Sequence, residues 1–290
     1  MRTEQEMQEL MLNIAKEDER IRAVYMNGSR TNTNVPKDIF QDYDIVYVVT
    51  DTTPFIQDKT WIDRFGERLF MQYPDEHPDF PSDKENFYGW LMQFTDGNRI
   101  DLHVESISHA KENILNDKLC EILLDKDNLL PEIPKSTDED YWVKRPSKEQ
   151  YLCTCNEFWW CLNNVAKGLW REEIPYVQDM LNFNVRKQLE KMLSWKIGIE
   201  TNFSVSVGKS AKYMYRWLSE AEWNTYLGTY CGGTVEDCWN AVFQMCDLME
   251  KTAIYVGEQL RYEYNQEEGN SCRGFLEHVK ELPKDATEIY

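Results

Sequence analysis

The chain has 290 residues, enough for two domains with apolar cores, and its 42% hydrophobic content excludes an intrinsically disordered protein. Its 51 acidic and 32 basic residues give a formal charge of −19. Residues 1–148 hold 30 acids against 18 bases and residues 149–290 hold 21 against 14, so neither half offers the basic stripe with which a protein tracks a nucleic-acid backbone.

The elements run as follows. Thr3-x-x-Glu6 is a capping box, and Met7, Leu10, Met11 and Ile14 continue it at helical spacing. Ile21 to Met26 reads as a strand, and Ile45 to Thr50 as a second, nearly all apolar and therefore central. Trp61 to Met71 suggests a helix. Phe87 to Phe94 and Arg99 to Glu105 flank the turn Asp96-Gly97-Asn98, a strong hairpin signal. Ala110 to Leu124 looks helical, with Ile114, Leu119, Ile122 and Leu123 inward. Pro131 to Ser147, with three prolines and many charges, reads as a linker or strap.

Beyond it, Ser147-x-x-Gln150 opens a helical region through Trp170. Ile174 to Ile199 is a second helix candidate, and Ser204 to Gly208 breaks the pattern. Thr234-x-x-Asp237 caps a third long helix to about Tyr262, with Val242, Met245, Leu248, Met249 and Val256 as core candidates. The fold class expected is α+β: residues 1–135 a domain with a mixed sheet, residues 136–290 a mainly helical bundle.

The N-terminal MRTEQEMQEL lacks an apolar signal core, and no stretch approaches the ~18 apolar residues of a membrane span. The eight cysteines form no C-x-x-C pair and no histidine joins them at zinc-finger spacing. A reduced, cytoplasmic protein without membrane or nucleic-acid partners is the expectation.

The chemistry concentrates early in the chain. Val24 to Met26 leads into Asn27-Gly28-Ser29-Arg30, and Gln41-Asp42-Tyr43-Asp44-Ile45-Val46 opens the next strand. Residues i and i+2 of a strand share a face, so Asp42 and Asp44 are forced together. Two such carboxylates repel unless one is protonated or a divalent cation lies between them. The Gly-Ser turn offers backbone N–H groups to phosphate oxygens. Asp101, in Ile100-Asp101-Leu102-His103-Val104, supplies a third acid. His103 shares its face, with a packed or solvated imidazole as its plainer role.

This ordered set resembles the polymerase-β-like nucleotidyltransferases. More closely, Gly28-Ser29-Arg30-Thr31-Asn32 with Phe40-Gln41-Asp42-Tyr43-Asp44 is similar to the streptomycin-modifying aminoglycoside 6-adenylyltransferases. The likeness continues through Asp179-Met180-Leu181-Asn182, Val185-Arg186, Trp195-Lys196-Ile197-Gly198, and Gly208-Lys209 with Lys212; the segment after Leu260 matches nothing in it. The resemblance implies an N-terminal nucleotidyltransferase domain and Mg²⁺-dependent transfer of AMP from ATP to a streptomycin hydroxyl. Asp42, Asp44 and Asp101 would be the metal ligands and catalytic acids, Asp101 also a candidate base. Gly28 and Ser29 would bind phosphates, with Arg30, Lys209 and Lys212 as further phosphate donors or else surface and structural cations. A guanidinium-bearing acceptor calls for carboxylates and flat rings. Asp179 leads, Glu157 and Glu173 follow, and Trp160 or Trp159 would stack, unless these are exposed helix acids and packed indoles. A nucleotidyltransferase with another acceptor, such as a lincosamide or a protein side chain, and a catalytically silent binding module are the alternatives.

Overall fold

The computed structural model describes residues 1–290, which divide into two compact units, Met1–Asp140 and Tyr141–Tyr290.

In the first unit, α1 (Glu4–Glu17) starts at the Thr3 capping box, in which Thr3 and Glu6 satisfy each other's backbone N–H groups. It buries Met7, Met11, Ile14 and Ala15. The strands β1 (Ile21–Asn27) and β2 (Tyr43–Val49) follow, then a short α2 (Thr53–Gln57), β3 (Arg68–Gln72), β4 (Phe87–Phe94), β5 (Arg99–Ser106), α3 (Ile107–Asn113) and β6 (Cys120–Asp125). They form one six-stranded sheet in the order β3-β4-β5-β2-β1-β6. Only β2 and β5 run parallel, so the sheet is mixed.

After Asp44, strand β2 is apolar from Ile45 to Val49 because both its faces are covered. Ile45, Tyr47 and Val49 pack with α1 and the aromatic cluster of Phe55, Trp61, Phe65 and Trp90; Val46 and Val48 pack on the other side with Ala110 and Ile114. A strand buried on both faces loses its polar alternation. Burying each large side chain contributes about 1.5–3 kcal/mol, which makes this strand the stable base of everything attached to its ends.

Two expected helices come out differently. Trp61–Phe65 is a 3₁₀ turn that ends at Gly66 (φ 120°), and Arg68–Gln72 is β3, paired with β4. Gly66 adopts a backbone that other residues rarely reach, so the helix cannot continue. The stretch 110–124 splits as well: α3 stops at Asn113, Leu119 N–H is taken by the Asp117 carboxylate, and Cys120–Asp125 pairs antiparallel with β1. In β6 adjacent Ile122 and Leu123 pack toward opposite faces of the sheet, and the unfilled edge of β1 selects the strand.

In the second unit, α4 (Lys148–Trp170) begins at a capping box between Ser147 and Gln150. Next come α5 (Ile174–Asp179), a π-helical turn over Met180–Val185, α6 (Arg186–Glu200), α7 (Glu220–Gly228), α8 (Val235–Leu260) and α9 (Gln266–Glu281). The expected Ile174–Ile199 helix is thus real but carries a π turn, in which Arg186 N–H reaches back five residues to Leu181. Thr234 caps α8, all five of its candidate core residues are buried, and Arg261 ends it in the left-handed region. Leu162, Val165, Leu189, Leu193, Val242, Met245 and Met249 are core residues of this bundle. No helix is long and apolar enough to cross a membrane.

Candidate active site

The parallel pairing of β2 and β5 sets Asp44 directly opposite Asp101, and Asp42 lies one residue before β2. One carboxylate oxygen from each of Asp42, Asp44 and Asp101 lies within 4.8 Å of the other two. Burial pushes the Asp44 carboxyl up to about 7, and the charges of Asp42 and Asp101 push it the same way. Sheet register therefore brings together three acids that repel one another. An all-carboxylate donor set with one member held near neutrality fits a hard divalent cation, whose charge relieves that repulsion.

Sequence reasoning missed one member of this cluster. Arg99, at the start of β5, grips Asp101 with two hydrogen bonds of 2.8 and 2.6 Å, and its Nε lies 3.8 Å from Asp42. Its signal was present, because residues i and i+2 of a strand share a face and Arg99 precedes Asp101 by two.

The Gly-Ser turn packs onto the same cluster. Gly28 has φ 76°, and a Cβ built there would fall 2.1 Å from the Asp44 Oδ2. Only glycine lets the 3₁₀ turn Gly28–Thr31 come this close. Thr31 Oγ1 donates to the Gly28 carbonyl (2.9 Å), and Gln41 Nε2 lies 3.4 Å from the Ser29 carbonyl and 3.5 Å from its hydroxyl. Arg30 turns inward: Nε donates to the Asp42 carbonyl (2.9 Å), Nη2 to the Gln41 carbonyl (2.7 Å), and the guanidinium lies 3.7 Å from the centre of the Tyr43 ring. It fixes the backbone that carries Asp42. His103 shares the face of Asp101 but is packed: it stacks on Phe87 at 4.6 Å and lies so close over Gly89 that a Cβ there would meet it at 2.5 Å. Burial holds its imidazole below the usual range, hence neutral.

The remaining candidates belong to the second unit. Lys209 and Lys212 sit in a tight turn, not along one helix face, with Gly208, Ser210 and Ala211 all at positive φ. Both lysines are exposed, and Lys212 Nζ lies 5.0 Å from the centre of the Tyr213 ring. Asp179 is exposed at the junction of α5 with the π turn, where Tyr176 three residues before it and Phe183 four residues after it are also exposed. Phe183, 72% exposed, is an aromatic that sequence reading passed over. Glu157 and Trp160 are exposed on α4, Glu157 accepting from the Cys161 thiol at 3.3 Å, whereas Trp159 is buried edge-on against Phe158 and belongs to the core. Glu173 lies just before α5, 3.9 Å from Arg171.

A glycine turn pressed against clustered carboxylates at the ends of the central strands of a mixed sheet is the equipment of enzymes that move nucleotidyl groups, and this protein is a nucleotidyltransferase. The profile of the family described as streptomycin adenylyltransferase matches residues 1–279, and the chain belongs to that family. The match runs through most of α9, so residues 261–279 of the segment after Leu260, which sequence reading could not relate to the family, fall within it. The chain is 41% identical over 265 residues to an aminoglycoside 6-adenylyltransferase of Bacillus subtilis (strain 168), covering 91% of this chain and 93% of the relative. It is 42% identical over 264 residues to one from Campylobacter jejuni, covering 91% of each. A crystal structure of an aminoglycoside 6-adenyltransferase from Bacillus subtilis shares 35% identity over 97% of this chain and 100% of that one, with a TM-score of 0.48.

Proposed function

We propose that the protein transfers AMP from ATP to a hydroxyl of streptomycin and releases pyrophosphate. The observation that carries this reading is the contact of the Gly28 turn with a carboxylate cluster no wider than 4.8 Å, inside a chain of this family. Asp42, Asp44 and Asp101 would hold Mg²⁺, which when bound offsets the negative charge of the triphosphate. The backbone of Gly28 and Ser29 and the Ser29 hydroxyl bind the terminal phosphates. Arg30 keeps Asp42 in position through the Gln41 and Asp42 carbonyls. Asp101 takes the proton of the acceptor hydroxyl as that oxygen attacks the α-phosphorus, and Arg99 orients Asp101 for the transfer. The bond from the α-phosphorus to the β-bridging oxygen breaks and pyrophosphate leaves.

In the second unit, Lys209 and Lys212 supply charged donors to the phosphates. Asp179 pairs with a guanidinium of the acceptor, with Trp160 as a flat face and Glu157 as a further acid. The net charge of −19 favours a cationic acceptor. The test is pyrophosphate release from ATP and Mg²⁺ with streptomycin, against a kanamycin-type aminoglycoside and a lincosamide. Release with streptomycin alone, together with an adenylylated product by mass spectrometry, is the expected result. Turnover with a different acceptor, or with none, overturns the assignment.

A further inference from the structure

All eight cysteines are free thiols, and two of them touch. Cys231, half-buried after α7, and Cys238, buried near the start of α8, have their sulfurs 3.6 Å apart. A third side chain holds the pair. Gln178 of α5 directs its amide nitrogen at Cys231 Sγ (3.4 Å), at Cys238 Sγ (3.5 Å) and at the Gly232 carbonyl (3.0 Å). The Cys238 sulfur faces that same carbonyl at 3.6 Å. Between the cysteines the chain reads Gly232-Gly233-Thr234-Val235-Glu236-Asp237, and the space beside Gly233 is open. A disulfide needs sulfurs about 2.05 Å apart, so the gap must shrink by roughly 1.5 Å. A glycine pair next to one partner gives the loop the freedom to make that movement.

We propose that Cys231 and Cys238 form an oxidisable dithiol, a modification site separate from the carboxylate cluster, which a hydroperoxide converts to an intramolecular disulfide. Cys231 is the more accessible sulfur and reacts first. It attacks one oxygen of the hydroperoxide, the O–O bond breaks, a sulfenic acid forms, and the thiol proton leaves with the departing alkoxide as an alcohol, or as water when the oxidant is hydrogen peroxide. The Cys238 sulfur then attacks the Cys231 sulfur. The S–S bond forms, the S–O bond breaks, and the hydroxide leaves as water with the Cys238 proton. Two thiols are oxidised and one hydroperoxide is reduced. Cys153 is exposed but has no thiol neighbour of this kind, so it can be oxidised without being resolved in the same way.

The bond would tie the loop after α7 to the start of α8. That loop follows Thr229, whose carbonyl accepts from the buried Arg186 at 2.8 Å and whose hydroxyl meets the same guanidinium. Gln178, one residue before Asp179, would keep its contact with the closed sulfurs. The site therefore adjoins the segment proposed above for the acceptor, but its chemistry does not depend on that proposal.

The experiment treats the full-length protein with excess hydrogen peroxide, alkylates the remaining thiols under denaturing conditions and maps the peptides by tandem mass spectrometry. The expected result is one linked peptide joining Cys231 to Cys238 that dithiothreitol reverses, with Cys120, Cys155, Cys161, Cys246 and Cys272 recovered alkylated and Cys153 either alkylated or oxygenated. C153S keeps that linkage and C231S loses it, with Cys238 recovered as an alkylated thiol. Eight alkylatable thiols after oxidation, linkage through other cysteines, or Cys231 carried to the sulfinic or sulfonic acid with Cys238 still free would each overturn the proposal. Wild type and C153S alone decide the matter if C231S does not fold.

Discussion

Gly28 and Asp44 compete for the same volume: the Cβ that any other residue would place at position 28 falls 2.1 Å from the Asp44 carboxylate oxygen. Glycine at 28 and the acid at 44 are thus a single steric unit, and the turn is as close to the carboxylate cluster as backbone can come. Gly28→Ala forces either the turn or Asp44 to move, and it also places a side chain at φ 76°. The variant is expected to lose about 10²-fold or more in turnover and roughly 1–3 kcal/mol of stability. Pyrophosphate release and urea denaturation measure the two effects; near-normal turnover would separate the turn from the reaction.

Asp44→Asn removes one carboxylate and its charge from the cluster. Nucleotidyl transfer should fall by about 10³-fold or more, since positioning and charge compensation are lost together. The same variant should melt at a higher temperature than wild type in the presence of chelator, because like charges no longer crowd a half-buried site. A lower melting temperature in chelator would show that the carboxylate supports the fold by itself.

Asp101→Asn keeps the shape but cannot accept a proton. A fall in kcat of about 10²–10⁴-fold is expected, with the KM for the acceptor nearly unchanged. A change confined to KM would remove Asp101 from proton transfer and leave it a binding residue.

The two sides of the proposed reaction separate in the second unit. Asp179→Asn should raise the KM for streptomycin roughly tenfold, and Lys212→Ala should do the same for ATP, each leaving the other substrate alone. Steady-state kinetics with one substrate varied at a time tests both; crossed effects would mean that the residues have been given to the wrong partners.

Asp96 provides a pH test away from the site. Burial alone would raise its carboxyl, but hydrogen bonds from Arg2 and Asn98 outweigh burial and hold it well below the usual range. An acid whose folded pKa is depressed stabilises the fold above the unfolded value of about 3.9 and loses that contribution as the pH falls below it. Asp96→Asn should therefore cost roughly 1–2 kcal/mol at pH 7, after allowance for partial exposure, and the gap from wild type should narrow below about pH 4. Urea denaturation at both pH values measures it.

The sequence by itself determined the parts whose physics is local. The capping boxes at Thr3 and Ser147 need only residues three apart, and the turn at Asp96-Gly97 needs only its own backbone preferences. The nearly unbroken apolar run of β2 announced a strand covered on both faces, and strand alternation put Asp101 in line for the cluster. What it could not settle were places where two periods fit equally well. Residues 120–125 and 68–72 are apolar runs too short to fix a period, and only an open sheet edge at β1 or β4 makes the strand the lower-energy choice. The same holds for the site. Spacing nominated Asp42, Asp44 and Asp101, but their mutual repulsion, the grip of Arg99 on Asp101 and the contact of Gly28 with Asp44 depend on β1, β2 and β5 lying side by side. Arg30 illustrates the difference: as a letter beside Gly-Ser it suggested a phosphate donor, and in the fold its donors hold the backbone of Gln41 and Asp42. Local propensity is written along the chain, whereas repulsion, register and steric exclusion arise between segments that only folding brings into contact.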